Sequence, residues 1–387
     1  MPQRYIPARF ARGGTSKGVF FLAEDLPEAR EEQDAIFLAA LGSPDPNGRQ
    51  LDGLGGGLSS LSKVAVLGVS ARADADVDYT FGQVAVDEPV VDRRVNCGNL
   101  AAAVGPVAVE AGLVPAVDGM ASVRIHATNT GQVLTSTFEV RDGEAVVDGD
   151  LRLDGVAGTG APVRLEFHDP AASVAAALLP SGSARDVLEV PGVGAVEVSL
   201  VDATNPVVFV AAAALGVTGD EPLEALDADA GLLERVDRVR RAGAVAMGLG
   251  DRPEDVGLAN PKIALLSPPR DFRALDGATV AVDAHDLGAR MVSMGRWHRA
   301  VTSTGALCLA VAAAIEGTLP ARMRAGEAGA SPAEGDDADA PLRIGQPSGV
   351  TAVSASVRRD GDGWNAESAS MFRTARTLMR GEVAVRL

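Results

Sequence analysis

The stretch Asp52-Gly-Leu-Gly-Gly-Gly-Leu-Ser-Ser-Leu-Ser-Lys63-Val-Ala-Val-Leu-Gly68 joins a glycine- and serine-rich loop to an apolar strand, with one lysine at the junction. A second junction of the same kind lies far downstream, at Asn260-Pro-Lys262-Ile-Ala-Leu-Leu266, and the surroundings of the first recur around it. Gly13-Gly-Thr-Ser-Lys17 reads as a polar turn opening a strand, and Asp202-Ala-Thr-Asn-Pro206 before Val207 to Leu215 matches it. Pro27 to Leu41 has the spacing of an amphipathic helix with Ile36, Phe37 and Leu41 inward, and Leu223 to Met247 takes its place in the second half. Leu100 to Gly112 is apolar all round, as is the helix opened by Thr302-Ser-Thr-Gly305 and running to Ile315; such helices are buried. The turns Thr128 to Gly131 and Ile344 to Gly349 each sit beside strands.

These parallels predict an α+β chain of two similar domains, each a strand-rich, barrel-like wrap around a central buried helix. Pro180 to Gly194, rich in Pro, Gly and Ser, marks the expected boundary, giving an N-terminal repeat over 1–190 and a C-terminal repeat over 191–387. Residues 324–341, made of Ala, Gly, Asp and Glu without periodicity, read as a flexible insertion. A chain of 387 residues also exceeds one ordinary core.

Composition narrows the function. A net charge of −17 argues against nucleic acid and against anionic membrane surfaces as partners. An anionic substrate then needs a local positive site. No long apolar run suggests a membrane span or a signal peptide at the start, and two cysteines, Cys97 and Cys308, form neither a disulfide scaffold nor a zinc motif. A cytoplasmic protein without a metal is expected.

The chain carries 32 arginines and only three lysines, Lys17, Lys63 and Lys262. Lysine loses its charge when buried and can take a proton, which a guanidinium cannot. Thr15, Ser16 and Lys17 are donors suited to a carboxylate. Cys97, within Asn96-Cys-Gly98-Asn99, is expected at the N-terminus of the first buried helix, where unpaired N–H groups favour a thiolate or a bound anion. Ser303, Thr304 and Gly305 open the second. Duplicated halves favour a cleft between them, and two helix N-termini there suit a substrate with two or more carboxylates. Lys262, Met294, His298 and Ser348 complete the candidate contacts, with Arg290 a further one.

The strings Arg12-Gly-Gly-Thr-Ser-Lys-Gly-Val-Phe-Phe21, Asp52-Gly-Leu-Gly-Gly56, Ser59-Ser-Leu-Ser-Lys63, Asp76-Val-Asp-Tyr-Thr-Phe-Gly-Gln83 and Asn96-Cys-Gly-Asn99 resemble the 2-methylaconitate cis-trans isomerase family. Asn205-Pro, Pro261-Lys262, Met294-Gly, His298-Arg-Ala, Thr304-Gly-Ala-Leu-Cys308 and Thr374-Ala-Arg-Thr-Leu-Met379 extend the resemblance over nearly the whole chain. It departs at Val95, Trp297 and Gln346, where that family favours glycine, a smaller residue or proline, and histidine. The resemblance implies a diaminopimelate-epimerase-like fold and cofactor-independent isomerisation of unsaturated polycarboxylates. It implies Lys63 as the base, with Cys97 beside it either returning the proton or shaping the pocket. Three alternatives stand beside this reading: an allylic isomerase or tautomerase of the methylitaconate or 4-oxalomesaconate type, a two-cysteine racemase, and a non-catalytic polycarboxylate binder. A homodimer is compatible with each.

Overall fold

The computed structural model describes residues 3–93, 96–325, 341–361 and 363–386. The chain divides into two compact units, Met1–His168 with Phe372–Leu387, and Asp169–Met371.

In the first unit, Arg4–Gly13 turns tightly into antiparallel Ser16–Leu22, which runs parallel to Lys63–Val69. Lys63–Val69 pairs antiparallel with Val77–Val84, which lies parallel to Gly119–Ala127; Gln132–Arg141 and Val163–His168 follow antiparallel. Val19, Phe21 and Val64 face the helix Arg30–Leu41 and pack on its buried Ile36, Phe37 and Leu41. Each such side chain withdrawn from water contributes roughly 1.5–3 kcal/mol, which holds the helix on the sheet. Strand alternation sends Ser16, Gly18, Lys63 and Ala65 to the other face.

That face meets the expected buried helix, which is broken in two, Gly98–Ala101 and Val104–Glu110. Pro106 has no N–H to offer the carbonyl of Ala102, and the bonds Ala102 N to Asn99 O and Ala103 N to Leu100 O tighten the chain between them.

The second unit repeats the succession. Gly194–Ala203 is antiparallel to Asn205–Ala211, which runs parallel to Lys262–Ser267; Leu287–Ser293 is antiparallel, Leu342–Gln346 parallel, and Gly349–Asp360 antiparallel again. One face carries Leu223–Ala228 and Ala230–Ala246, split where Asp229 accepts from Leu232 N as an N-cap. A single helix from Leu223 to Met247 is therefore not found. The other face carries Ser303–Ala314, buried nearly throughout and capped by Thr302, whose Oγ1 accepts from Gly305 N at 3.1 Å. Such a cap stabilises by about 1 kcal/mol.

The division differs from the one expected at residue 190. Ala375–Val385 pairs along its length with Arg4–Gly13, so the last strand joins the first unit. Thr204 N donates to Pro170 O, and the Asp202 carboxylate accepts from Ser173 Oγ, Val174 N and Ala175 N, so the chain from 169 onward belongs to the second. Pro180 to Gly194 is loop and hairpin inside that unit. Of the expected insertion, Arg324 and Ala325 close the helix Leu319–Ala325, while residues 326–340 lie outside the described residues, as does Val95. No helix among the described residues is long and apolar enough to cross a membrane.

Candidate active site

In the first unit the loop from Asp52 to Ser62 is pinned before it delivers its lysine. Gln50, buried and at φ 54°, accepts from Gly57 N and donates to the hydroxyls of Ser43 and Ser62, and Ser62 Oγ donates to Val84 O. Lys63 then starts its strand with the side chain only 7% exposed. Its Nζ donates to Gln83 Oε1 and lies 5.1 Å from the centre of the Phe81 ring. Gln83 is itself oriented, because its Nε2 donates to Ser62 O at 2.8 Å and Ser59 O at 3.0 Å, turning the oxygen to the amine.

Gly18 shows what stands next to Lys63. A Cβ there would lie 2.6 Å from the Lys63 carbonyl oxygen and 3.2 Å from Leu100 Cδ2, so the lysine and the Gly98–Ala101 turn close on the same glycine. Cys97 caps that turn: its Sγ accepts from Leu100 N at 3.4 Å and lies 3.9 Å from Ser16 Oγ, while Asn96 Oδ1 accepts from Cys97 N. The turn has four residues, so individual N–H groups rather than a long helix dipole act there. Tyr79, on the same face of its strand as Phe81, is fully buried with no partner for its hydroxyl among the described residues; burial raises its pKa well above the usual value and the charge of Cys97 adds to the rise.

Gly98 is buried behind Cys97. Asn99 Oδ1 accepts from Nε of Arg373 at 3.1 Å. Arg373 is 6% exposed, and burial lowers its guanidinium to about 10, still charged at neutral pH. Arg373 and Gln83 were not singled out from the sequence. Thr15 is exposed at the tip of its turn, whereas Ser16 is buried. Lys17 leaves the group altogether: it shares a face with Val19 and Phe21, and its Nζ lies 5.3 Å from the centre of the Phe10 ring.

In the second unit Lys262 Nζ donates to Asn205 Oδ1 at 2.7 Å, and Asn205 Nδ2 donates to Asn260 Oδ1 at 2.8 Å. Thr304 Oγ1 lies 3.5 Å from the same Asn205 oxygen, and Thr204, at φ 61°, donates to Thr304 O. Burial lowers the Lys262 amine to about 8, with Cys308 opposing the shift. His298 is held low chiefly by burial, against an opposing bond with Ala300 O, and Lys262 lowers it further, so the imidazole is neutral at pH 7. Ser303 and Gly305 are buried in the first turn of their helix. Ser348 spends its hydroxyl on Arg299 O, and Met294, at φ 54° in a hairpin turn, is 60% exposed.

Two further expectations change. Arg290 pairs with Leu265 on the face carrying Leu223–Ala228, opposite Lys262, and lines a cavity of about 190 Å³ with Glu221, Arg273 and Leu275. Burial lowers it to about 10 while Glu221 and Asp220 oppose. Cys308 is fully buried, its Sγ donates to Val201 O, and burial pushes its thiol far up. A thiol so held is no base, which removes the two-cysteine racemase reading.

The family model described as "PrpF protein" matches residues 3–386. The 2-methyl-aconitate isomerase of Shewanella oneidensis is 40% identical over 99% of this chain and 98% of its own. The crystal structure of a methylitaconate-delta-isomerase superposes with a TM-score of 0.87 at 38% identity, covering 100% of this chain and 96% of that one. A hydroxyproline epimerase from Agrobacterium vitis, 13% identical with a TM-score of 0.51 over 98% of this chain and 93% of its own, shares the fold alone. The chain belongs to the PrpF protein family and is an isomerase.

Proposed function

We propose that the chain isomerises unsaturated di- or tricarboxylates of the 2-methylaconitate type, with Lys63 as the base and Cys97 as the acid. The observation that carries this is Lys63, buried with its amine held by Gln83, on a strand whose backbone meets the same glycine, Gly18, as Leu100 of the turn that Cys97 caps. The Lys63 amine takes a proton from the carbon conjugated through the double bond to a carboxylate. That C–H bond breaks, an N–H bond forms, and the electron pair spreads into the carboxylate as a dienolate. Ser16 Oγ, 3.9 Å from Cys97 Sγ, is a donor for the developing charge, while the Asn99 amide, held by the buried Arg373, is left for a carboxylate that does not react.

The former double bond is single in the dienolate and rotates. A proton returned to the original carbon gives cis-trans exchange. Returned to the far carbon, it moves the double bond, and the likeness to the methylitaconate-delta-isomerase favours keeping this second outcome beside the first. Within its own unit, Lys262 with Asn205 and Thr304 offers an amine and a hydroxyl of the kind that receive a carboxylate.

Deuterium incorporation from solvent into methylaconitate and trans-aconitate tests the reading. Wild-type protein exchanges the allylic proton, and Lys63→Ala does not. Exchange that survives in Lys63→Ala refutes the assignment of the base.

A further inference from the structure

We propose that Arg373 is a positioning residue: by donating Nε to Asn99 Oδ1 it fixes that carboxamide with Nδ2 as the group offered to a substrate carboxylate. The inference rests on the functional reading above and adds a specificity device to the same site.

A carboxamide has one accepting and one donating end, and nothing intrinsic selects between its two flips. Here the choice is made by the surroundings. Arg373 Nε stands 3.1 Å from Oδ1, so the flipped amide would set N–H against N–H beside a buried guanidinium. Gly14 packs against the same oxygen and against Arg373: its missing Cβ would fall 2.3 Å from Asn99 Oδ1 and 3.2 Å from Arg373 Cδ, and its φ of 51° suits glycine. The turn and the C-terminal segment are clamped together. Gly14 N donates to Thr374 O at 2.9 Å, and Arg12 Nη1 donates to Gly14 O, Thr374 O and Thr374 Oγ1. Arg373 is thereby held in place from its neighbour's backbone, and its own Nη1 donates to Phe372 O.

With Oδ1 engaged, the donor end remains. Asn99 Nδ2 has no hydrogen bond to any described residue, and Asn99 is partly exposed two residues beyond Cys97. An N–H₂ group held there matches a carboxylate oxygen and rejects a group that also donates.

A double-mutant cycle on the full chain tests this, with methylaconitate as substrate and Asn99→Ala, Arg373→Met and the double variant compared for kcat and KM. Each single change is expected to raise KM about 10- to 100-fold, the worth of a hydrogen bond to a charged group, with kcat moving less than about three-fold. The double variant is expected to match Asn99→Ala, because Arg373 acts through that amide. KM effects that multiply, or an Arg373 change that lowers kcat and spares KM, overturn the proposal. Asn99→Asp keeps an acceptor for Arg373 and removes the donor, so its melting temperature stays near wild type while KM rises. This variant decides the matter if Arg373→Met does not fold, since a wild-type KM in Asn99→Asp overturns the proposal. Wild-type protein that turns over no polycarboxylate overturns the functional reading, and this inference with it; turnover with unmoved KM in the variants overturns this inference alone.

Discussion

Lys17 and Lys63 belong to adjacent parallel strands and project from opposite faces of the same sheet. Val19 pairs with Val64, and both pack toward Arg30–Leu41, so Lys17 lies on that face and Lys63 on the one that meets Cys97. Lys17→Met is expected to leave kcat and KM within about two-fold of wild type. Lys63→Met and Lys63→Arg are each expected to lower kcat by about 100- to 10,000-fold, the usual span for removing a general base. A guanidinium keeps the charge and cannot take the proton. Steady-state kinetics on methylaconitate check all three, and a Lys63→Arg enzyme of full activity would refute proton abstraction by the amine.

Gly18 sets the distance between Lys63 and the Cys97 turn. A Cβ at this position meets the Lys63 carbonyl oxygen at 2.6 Å and its carbon at 3.0 Å, and backbone does not give way as a flexible side chain does. Gly18→Ala is expected to cost about 1–3 kcal/mol of stability as an overpacked site, and to cut kcat by about 100-fold through displacement of the lysine. Urea unfolding and kcat measured together check it. A variant that loses stability at unchanged kcat would show that the spacing does not matter to the reaction.

The fold was legible where a pattern of two or of 3.6 residues ran long enough, as in Val77–Val84 and in the inward Ile36, Phe37 and Leu41. Lys63 and Cys97 stood out because lysine is scarce and the Asn-Cys-Gly-Asn string is short and polar before an apolar run. Lys17 shows the limit of such reading, since one step along a strand reverses the face. Arg373 was invisible for another reason. It reaches Asn99 across 274 residues, and one guanidinium among many arginines carries no mark of its burial. The unit boundary was misread because Pro, Gly and Ser mark any loop, whereas the pairing of Ala375–Val385 with the first strand is a long-range contact.

Cys97 joins a structural role to a chemical one, and serine separates them. Its Sγ accepts from Leu100 N, a task serine performs at least as well, so Cys97→Ser is expected to melt within a few degrees of wild type. A serine hydroxyl is a far weaker acid than a thiol. Isomerisation is expected to fall about 100-fold while Lys63 still exchanges the allylic proton with solvent, so the ratio of exchange to isomerisation rises. Proton NMR in deuterated buffer reads both rates at once. If the two fall together, Cys97 takes part in the first step, or in neither as an acid.

Lys262 carries a pH dependence whose sign follows from burial. Its amine sits at about 8 in the folded chain against an ordinary value of 10.5. Between those two values the unfolded chain binds the proton and the folded chain does not, so stability rises with pH through this window. Below about 8 both states are protonated and the folded state bears the full cost of a desolvated ammonium; above 10.5 both are neutral and the cost is gone. The lowering from 10.5 to about 8 corresponds to about 3–4 kcal/mol, less where solvent reaches the partly buried side chain. Lys262→Met deletes the titrating group but leaves Asn205 Oδ1 without its donor, a loss that does not depend on pH. The difference in unfolding free energy between wild type and Lys262→Met is therefore expected to be constant below about pH 7.5 and to move in favour of wild type from pH 8 to 10.5. Urea titrations at pH 7, 8, 9 and 10 measure it, and a difference that stays flat over that range would mean the amine is as well solvated folded as unfolded.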